Sequence, residues 1–130
     1  KCDCGSQLKK SIEIMSNDGG LLLYMPEEGR NIGLLNKLRA YEFQFHNIDT
    51  IDANYALGFD ADQRRHENAC ELLKLLGVNS IKLITNNPEK ISQVQKGGIN
   101  VIESVQIKVK VPAEAKKYLE TKKFRSGHNL

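Results

Sequence analysis

Residues 80–107 read SIKLITNNPEKISQVQKGGINVIESVQI, and the fold class follows from how they alternate. SIKLIT is a short bounded run rich in apolar and β-branched residues, the pattern of a strand. NNP makes a turn, and Pro88 suits the first turn of a helix because its missing N–H would go unbonded there anyway. EKISQVQKGG continues as a short helix, and INVIESVQI returns to strand character. Strands alternating with helices predict an α/β fold with at least some parallel pairing.

The rest of the chain repeats the alternation. RRHENACELLKLLG is helical and stops at Gly77, a residue type that commonly ends helices. DTIDANYALGFDADQ reads as irregular. IGLLNKLRAYEFQF predicts a long helix with Ile32, Leu35, Leu38 and Phe45 on its apolar face. LLLYM (Leu21 to Met25) reads as a buried strand after the Gly19–Gly20 break. QLKKSIEIMSN carries Leu8, Ile12 and Met15 at helical spacing, and Ala113 to Phe124 is also expected to be helical. No linker or low-complexity stretch divides residues 1–130, so one domain is expected. In α/β sheets, ligands sit in loops beyond the carboxyl ends of strands. EEGRN after LLLYM and TNNPEK after SIKLIT fall there.

The totals bound the function. One hundred and thirty residues suffice for a real core, and 40% apolar with 27% charged residues is the balance of a soluble globular protein. A net charge of +3 is too mild to argue by itself for a nucleic-acid partner, which calls for a clustered basic face, and none is expected. Lys116-Lys117 and Lys122-Lys123 read as helix-surface lysines. No apolar run approaches the ~20 residues of a membrane span. Three cysteines, an odd number, favour a reducing compartment, with thiols used for metal or packing. The expectation is a cytoplasmic protein without a membrane partner.

Several residues could carry chemistry. Cys2 and Cys4, in KCDCG, can point at one cation, but two ligands rarely make a metal site. In EEGRN, Glu27, Glu28 and Arg30 surround a flexible glycine; Arg30 could fork onto a phosphate, or the loop could hold only a local ion pair. In TNNPEK, Thr85 and Lys90 could hold a phosphate or ribose, or the segment could be an Asn-capped turn. Asp62, at an expected helix start, could be a cap or a general base beside a phosphate-binding Arg64. Cys70 lies in an apolar stripe and reads as a core thiol. Tyr41 could be core by periodicity. His46, His66 and His128 lack metal-like spacing.

KCDCGSQL, EEGRNIGLLNKLRAY, DTIDANYALGFDADQR, LLGVNSIKLITNNPEK and GGINVIE, in this order, closely resemble GTP cyclohydrolase II, the enzyme of the first step of riboflavin biosynthesis. The resemblance runs from Cys2 to about Glu103, with weaker echoes in YLETK and SGHNL. One departure is Arg65-His66, where the family commonly has an acidic residue and an aromatic. The fold implied is α/β, a layered mixed sheet flanked by helices. The resemblance implies one zinc held by three cysteines: Cys2 and Cys4 match a pair, and the third would precede Lys1. It also implies that an N-terminal segment is missing, and that the domain could come from a bifunctional polypeptide with a dihydroxybutanone-phosphate synthase.

Carried over residue by residue, the resemblance implies GTP contacts at Gln7, Glu28, Gly29, Arg30, Thr50, Thr85 and Lys90. Asp62 and Arg64 match the family's proposed proton acceptor and nucleophile, and Tyr41 a tyrosine near the zinc-activated water. A hydroxide made by zinc would attack guanine C8, the imidazole ring would open and formate would leave. The bond between the α- and β-phosphates would be cleaved separately, with magnesium on the phosphates. Arg64 is better read as an α-phosphate clamp, because a guanidinium stays protonated at neutral pH. The family implies a homodimer. An alternative is a degenerate, non-catalytic domain that binds nucleotide or supports dimerisation. A zinc-bound nucleic-acid module fits poorly, lacking a second cysteine pair and an aromatic platform.

Overall fold

The computed structural model of the chain describes residues 2–46 and 48–109. In chain order its elements are α1 (Cys4–Asp18), α2 (Glu28–Asn31), α3 (Gly33–Phe45), α4 (Thr50–Ala56), α5 (Glu67–Leu75), β1 (Ser80–Ile84), α6 (Pro88–Lys96) and β2 (Asn100–Val105). They fall into two compact units. One runs up to Leu23 and resumes at His66; the other is Tyr24–Arg65.

The first unit is built on residues 80–107. β1 and β2 pair in parallel, Ser80 opposite Asn100 and Ile84 opposite Val105, with an irregularity between Ile81 and Lys82. Helix α6 makes the crossover between them. It starts where the sequence predicts: Asn87 Oδ1 accepts the Glu89 N–H at 3.0 Å, and Pro88 takes the first helical position. The Asn86 side chain extends the pairing past the strand ends. Its amide donates to Ile107 O at 2.7 Å, and its Oδ1 accepts the Ile107 N–H at 2.8 Å. The α/β class holds, as helices with a small parallel sheet, which among the described residues has two strands.

Cys70, Leu73, Val94 and Ile99 form the buried core of this unit, with Leu23, Val78, Ile81, Leu83 and Val101 packed against it. Each fully buried aliphatic side chain there contributes about 1.5–3 kcal/mol. Cys70 is the core thiol the apolar stripe predicts, and burial pushes its pKa up, so it stays protonated at neutral pH. Its sulfur lies against the end of α6. A Cβ added to Gly97 would stand 2.5 Å from Cys70 Sγ and 2.9 Å from Cys70 Cβ, so only glycine allows this approach.

LLLYM is not a strand. Residues 21–25 have no ladder partner among the described residues, and Leu21, Leu22 and Tyr24 are exposed; only Leu23 joins the core. A strand needs a paired edge, which an apolar run cannot guarantee. EEGRN therefore does not follow a strand.

In the Tyr24–Arg65 unit, α3 forms as predicted but is turned differently. Leu35, Leu38 and Phe45 are more than half exposed, while Ile32 and Ala40 are buried and Asn36, Lys37 and Tyr41 half-buried. The polar side of the helix faces inward. DTIDANYALGFDADQ is not wholly irregular either. Asp49 caps α4 by accepting N–H groups from Ile51 at 2.8 Å and Asp52 at 3.1 Å. The expected helix over Ala113 to Phe124 lies outside the described residues, as do His128 and the late lysine pairs.

Gly97→Ala is expected to lower stability by about 1–3 kcal/mol through overpacking against Cys70. Adding Cys70→Ala removes the sulfur and should recover part of that loss. Urea unfolding of both single variants and the double variant checks this, and strictly additive effects would contradict the contact.

Candidate functional site

The EGRN segment owes its shape to its backbone. Gly29, Arg30 and Asn31 have φ values of 64°, 62° and 72°, all left-handed. Glycine adopts that region freely, whereas other residues do so at a cost of about 1–2 kcal/mol, asparagine and aspartate least. The run is held from outside. Gln63 N–H donates to Arg30 O at 3.1 Å, Asn31 Nδ2 to Gln63 O at 3.2 Å, and Asn31 N–H to Glu27 O at 3.3 Å.

Glu28 is held at its side chain. Lys37 Nζ donates to Glu28 Oε1 at 2.5 Å, and the Gly29 N–H reaches the same oxygen at 3.1 Å. The Lys37 hydrogen bond, the Gly29 N–H and the Lys37 charge hold the Glu28 carboxyl below its ordinary range. The same ammonium lies 5.9 Å from the centroid of the Tyr41 ring, one helical turn further along α3. Tyr41 is therefore a half-buried residue beside a cation rather than a core tyrosine.

Asp62 does not start a helix: α5 begins at Glu67, with His66 as its cap residue. The Asp62 carboxylate instead faces Arg64. Arg64 Nε donates to Oδ1 at 2.9 Å and to Oδ2 at 3.1 Å, Nη2 donates to Oδ2, and the Arg64 N–H donates to Oδ1 at 3.1 Å. Burial raises the Asp62 pKa, but the Arg64 hydrogen bonds and charge, with the charge of Arg30, outweigh it and leave the carboxyl lowered. A carboxylate so engaged is a weak base at neutral pH and a strong orienting group. The segment leading to it is fixed by Asn54, a buried amide that donates to Asp60 O at 3.5 Å and Ala61 O at 3.3 Å.

This unit thus brings together Glu28, Gly29, Arg30, Asp62 and Arg64, and links Tyr41 to Glu28 through Lys37. Thr50 is the first residue of α4, directly after the Asp49 cap. In the other unit, Thr85 closes β1. It is buried, its Oγ1 accepts the Asn87 N–H at 3.1 Å, and Lys90 stands in the first turn of α6, so the Asn-capped turn is present. Gln7 lies in α1, where its Nε2 donates to the buried Asp3 at 2.5 Å.

Cys4 is the exposed first residue of α1 and Cys2 is half-buried. Cys70 belongs to the α5–α6 core. Among the described residues no group of three or more His, Cys, Asp or Glu could hold a metal ion. The pair supplies two thiols where a catalytic zinc takes three protein ligands. By itself this donor set does not fit the zinc that the resemblance implies. Nor, among these residues, is any helix long and apolar enough to cross a membrane.

Sequence reasoning missed Asn31, Lys37, Asn54 and Gln63. Lys37 carried a signal, four residues before Tyr41 on one helix face. Asn54 and Gln63 carried none, because their partners are backbone carbonyls and N–H groups that a sequence does not place.

The family model for GTP cyclohydrolase II matches residues 1–106. The chain is 49% identical to GTP cyclohydrolase-2 of Haemophilus influenzae (strain PittEE) over 131 aligned positions, covering all of this chain and 61% of that protein. It is 48% identical to GTP cyclohydrolase-2 of Pasteurella multocida over 129 positions, 98% of this chain and 59% of the relative. Against riboflavin biosynthesis protein RibBA of Staphylococcus saprophyticus it is 44% identical over 128 positions, 98% of this chain and 33% of the relative. The chain spans about six tenths of the length of the GTP cyclohydrolase-2 relatives. With a motif order, an α/β frame and a family match that agree, the chain belongs to the GTP cyclohydrolase II family.

Proposed function

We propose that the protein carrying this chain hydrolyses GTP to formate, pyrophosphate and a 2,5-diamino-6-ribosylamino-pyrimidinone 5′-phosphate, the first step of riboflavin biosynthesis. Residues 1–130 are read as its GTP cyclohydrolase II domain, acting in the cytoplasm as a homodimer, with magnesium on the triphosphate. Family membership supports the reading, as do relatives named GTP cyclohydrolase-2 and riboflavin biosynthesis protein. The observation that carries it is the two-oxygen pairing of Asp62 with Arg64 beside the left-handed EGRN run. Incubation with GTP, followed by assays for formate, pyrophosphate and the diaminopyrimidine, tests it; absence of all three products from the whole protein would overturn it.

In this reading Arg64 grips the α-phosphate. A guanidinium has five N–H donors, more than the Asp62 pairing uses. Asp62 fixes its plane and reinforces its charge, so it orients Arg64 rather than accepting a proton. Arg30 adds a second guanidinium for the phosphates, and Glu28, anionic beside Lys37, is an acceptor for donors of the guanine edge. Gln7, Gly29, Thr50, Thr85 and Lys90 complete the proposed GTP contacts. Tyr41 serves the ring-opening half of the reaction, where a phenol can pass a proton. Cys2 and Cys4 are proposed as zinc ligands that need a third from outside the described residues.

The two-thiol donor set predicts less than one chelator-resistant zinc per chain for residues 1–130, and one per chain in a form extended upstream. Elemental analysis after dialysis against EDTA checks this; stoichiometric zinc in the shorter form would contradict it. For Tyr41→Phe, formate release should fall far more than pyrophosphate release. Equal loss of both would show that the tyrosine does not divide the reaction this way.

Arg64→Ala should lose on the order of 10²–10³ in rate, the scale of one lost transition-state donor. Arg64→Lys, which keeps charge but not the fork, should retain part of that rate. Mass analysis of intact protein quenched during turnover provides the contrast: a transient nucleotide adduct mapped to Arg64 would replace the clamp by a nucleophile.

A further inference from the structure

Asn31 has no part in the reading above, yet its geometry is specific. Its backbone is left-handed at φ 72°, next to Arg30 at φ 62°. Asparagine is among the few residues besides glycine that visit this region readily. Its side chain does a second job. Nδ2 donates to Gln63 O at 3.2 Å, while Gln63 N–H donates to Arg30 O at 3.1 Å. Gln63 is thereby gripped at both of its backbone groups by two successive residues of the EGRN run.

The two proposed phosphate-binding guanidiniums flank this grip. Arg30 precedes Asn31, and Arg64 follows Gln63. The charge of Arg30 is felt at Asp62, on the other side of Gln63, so the two cationic side chains share one neighbourhood. Like charges there repel. They stay placed for a common anion only if the backbones beneath them are fixed in register, which spares the ligand the cost of gathering them.

We propose that Asn31 is a positioning residue which, by clamping Gln63, sets the spacing of Arg30 and Arg64 so that both meet the phosphate chain of one nucleotide. This rests on the reading that Arg30 and Arg64 bind the phosphates of GTP.

The test compares KM for GTP with Ki for guanosine as a competitive inhibitor, in the whole protein that carries this chain. Asn31→Gly keeps left-handed freedom and removes only the amide. It should raise KM for GTP about three- to tenfold, the worth of one hydrogen bond, and leave Ki for guanosine within about twofold. Asn31→Asp keeps the backbone preference but sets a carboxylate against the Gln63 carbonyl, so its KM should rise at least as much. A merely structural role would lower kcat through loss of folded enzyme without moving KM. That result, or a parallel rise of KM and Ki, would overturn the proposal. An unchanged KM in Asn31→Gly, with KM raised in Arg30→Ala and Arg64→Ala, would overturn it while leaving the phosphate reading standing. Unchanged KM in both arginine variants would remove the phosphate reading and this proposal with it.

Discussion

The hydrogen bond from Gln63 N–H to the Arg30 carbonyl joins segments far apart in sequence, and the organisation of the Tyr24–Arg65 unit depends on it. Without an outside partner, two adjacent non-glycine residues would not remain in left-handed backbone, because each is disfavoured by about 1–2 kcal/mol. Such conformations persist where their surroundings over-determine them. Here the Glu27 carbonyl, the Gln63 backbone and the Asn31 side chain supply that constraint. The same contacts bring the Asp62–Arg64 pair alongside Arg30. Backbone strain and the gathering of charge are therefore one arrangement.

Charge in this unit is compensated locally. Glu28 is held by Lys37 and Asp62 by Arg64, each at part-exposed positions where a lone ion pair contributes little to stability. Their effect is on orientation and protonation. Both carboxyls lie below their ordinary pKa, so both are anions at neutral pH, and neither is suited to take a proton there. In the proposed chemistry proton transfer would then fall to another group, such as Tyr41, which lies beside a cation on the inward polar face of α3.

The unit containing β1, α6 and β2 follows a different logic. Its integrity comes from close contact, with the Cys70 sulfur set against Gly97 and Ile99 nearly fully buried. The loop after β1 is made largely by side-chain-to-backbone bonds. Thr85 accepts from Asn87, Asn87 caps α6, and Asn86 ties down residue 107. These reach a few residues or one strand away, so the order T-N-N-P nearly specifies the loop.

That difference in range separates the features legible in residue order from those that depend on which distant segments meet. The strand–helix–strand, the α6 cap, the core thiol and the family motifs were legible because each rests on residue type at short spacing. Asp49 was equally local, and its cap of α4 could have been read from D-T-I-D. LLLYM could not be settled, because a strand is a pairing and its composition does not name a partner. The facing of α3 was also misleading. Its leucines mark the more apolar side, yet the side carrying Asn36, Lys37, Ala40 and Tyr41 turns inward. Membership of Asp62 and Arg64 in the site was implied by resemblance, but their mutual fork was not: a cap and an ion pair use the same residues and differ only in which backbone lies within reach. The role of Gln63 had no sequence signal at all, because it acts through a peptide N–H and C=O that every residue but proline possesses, and only the folded chain selects which pair is used.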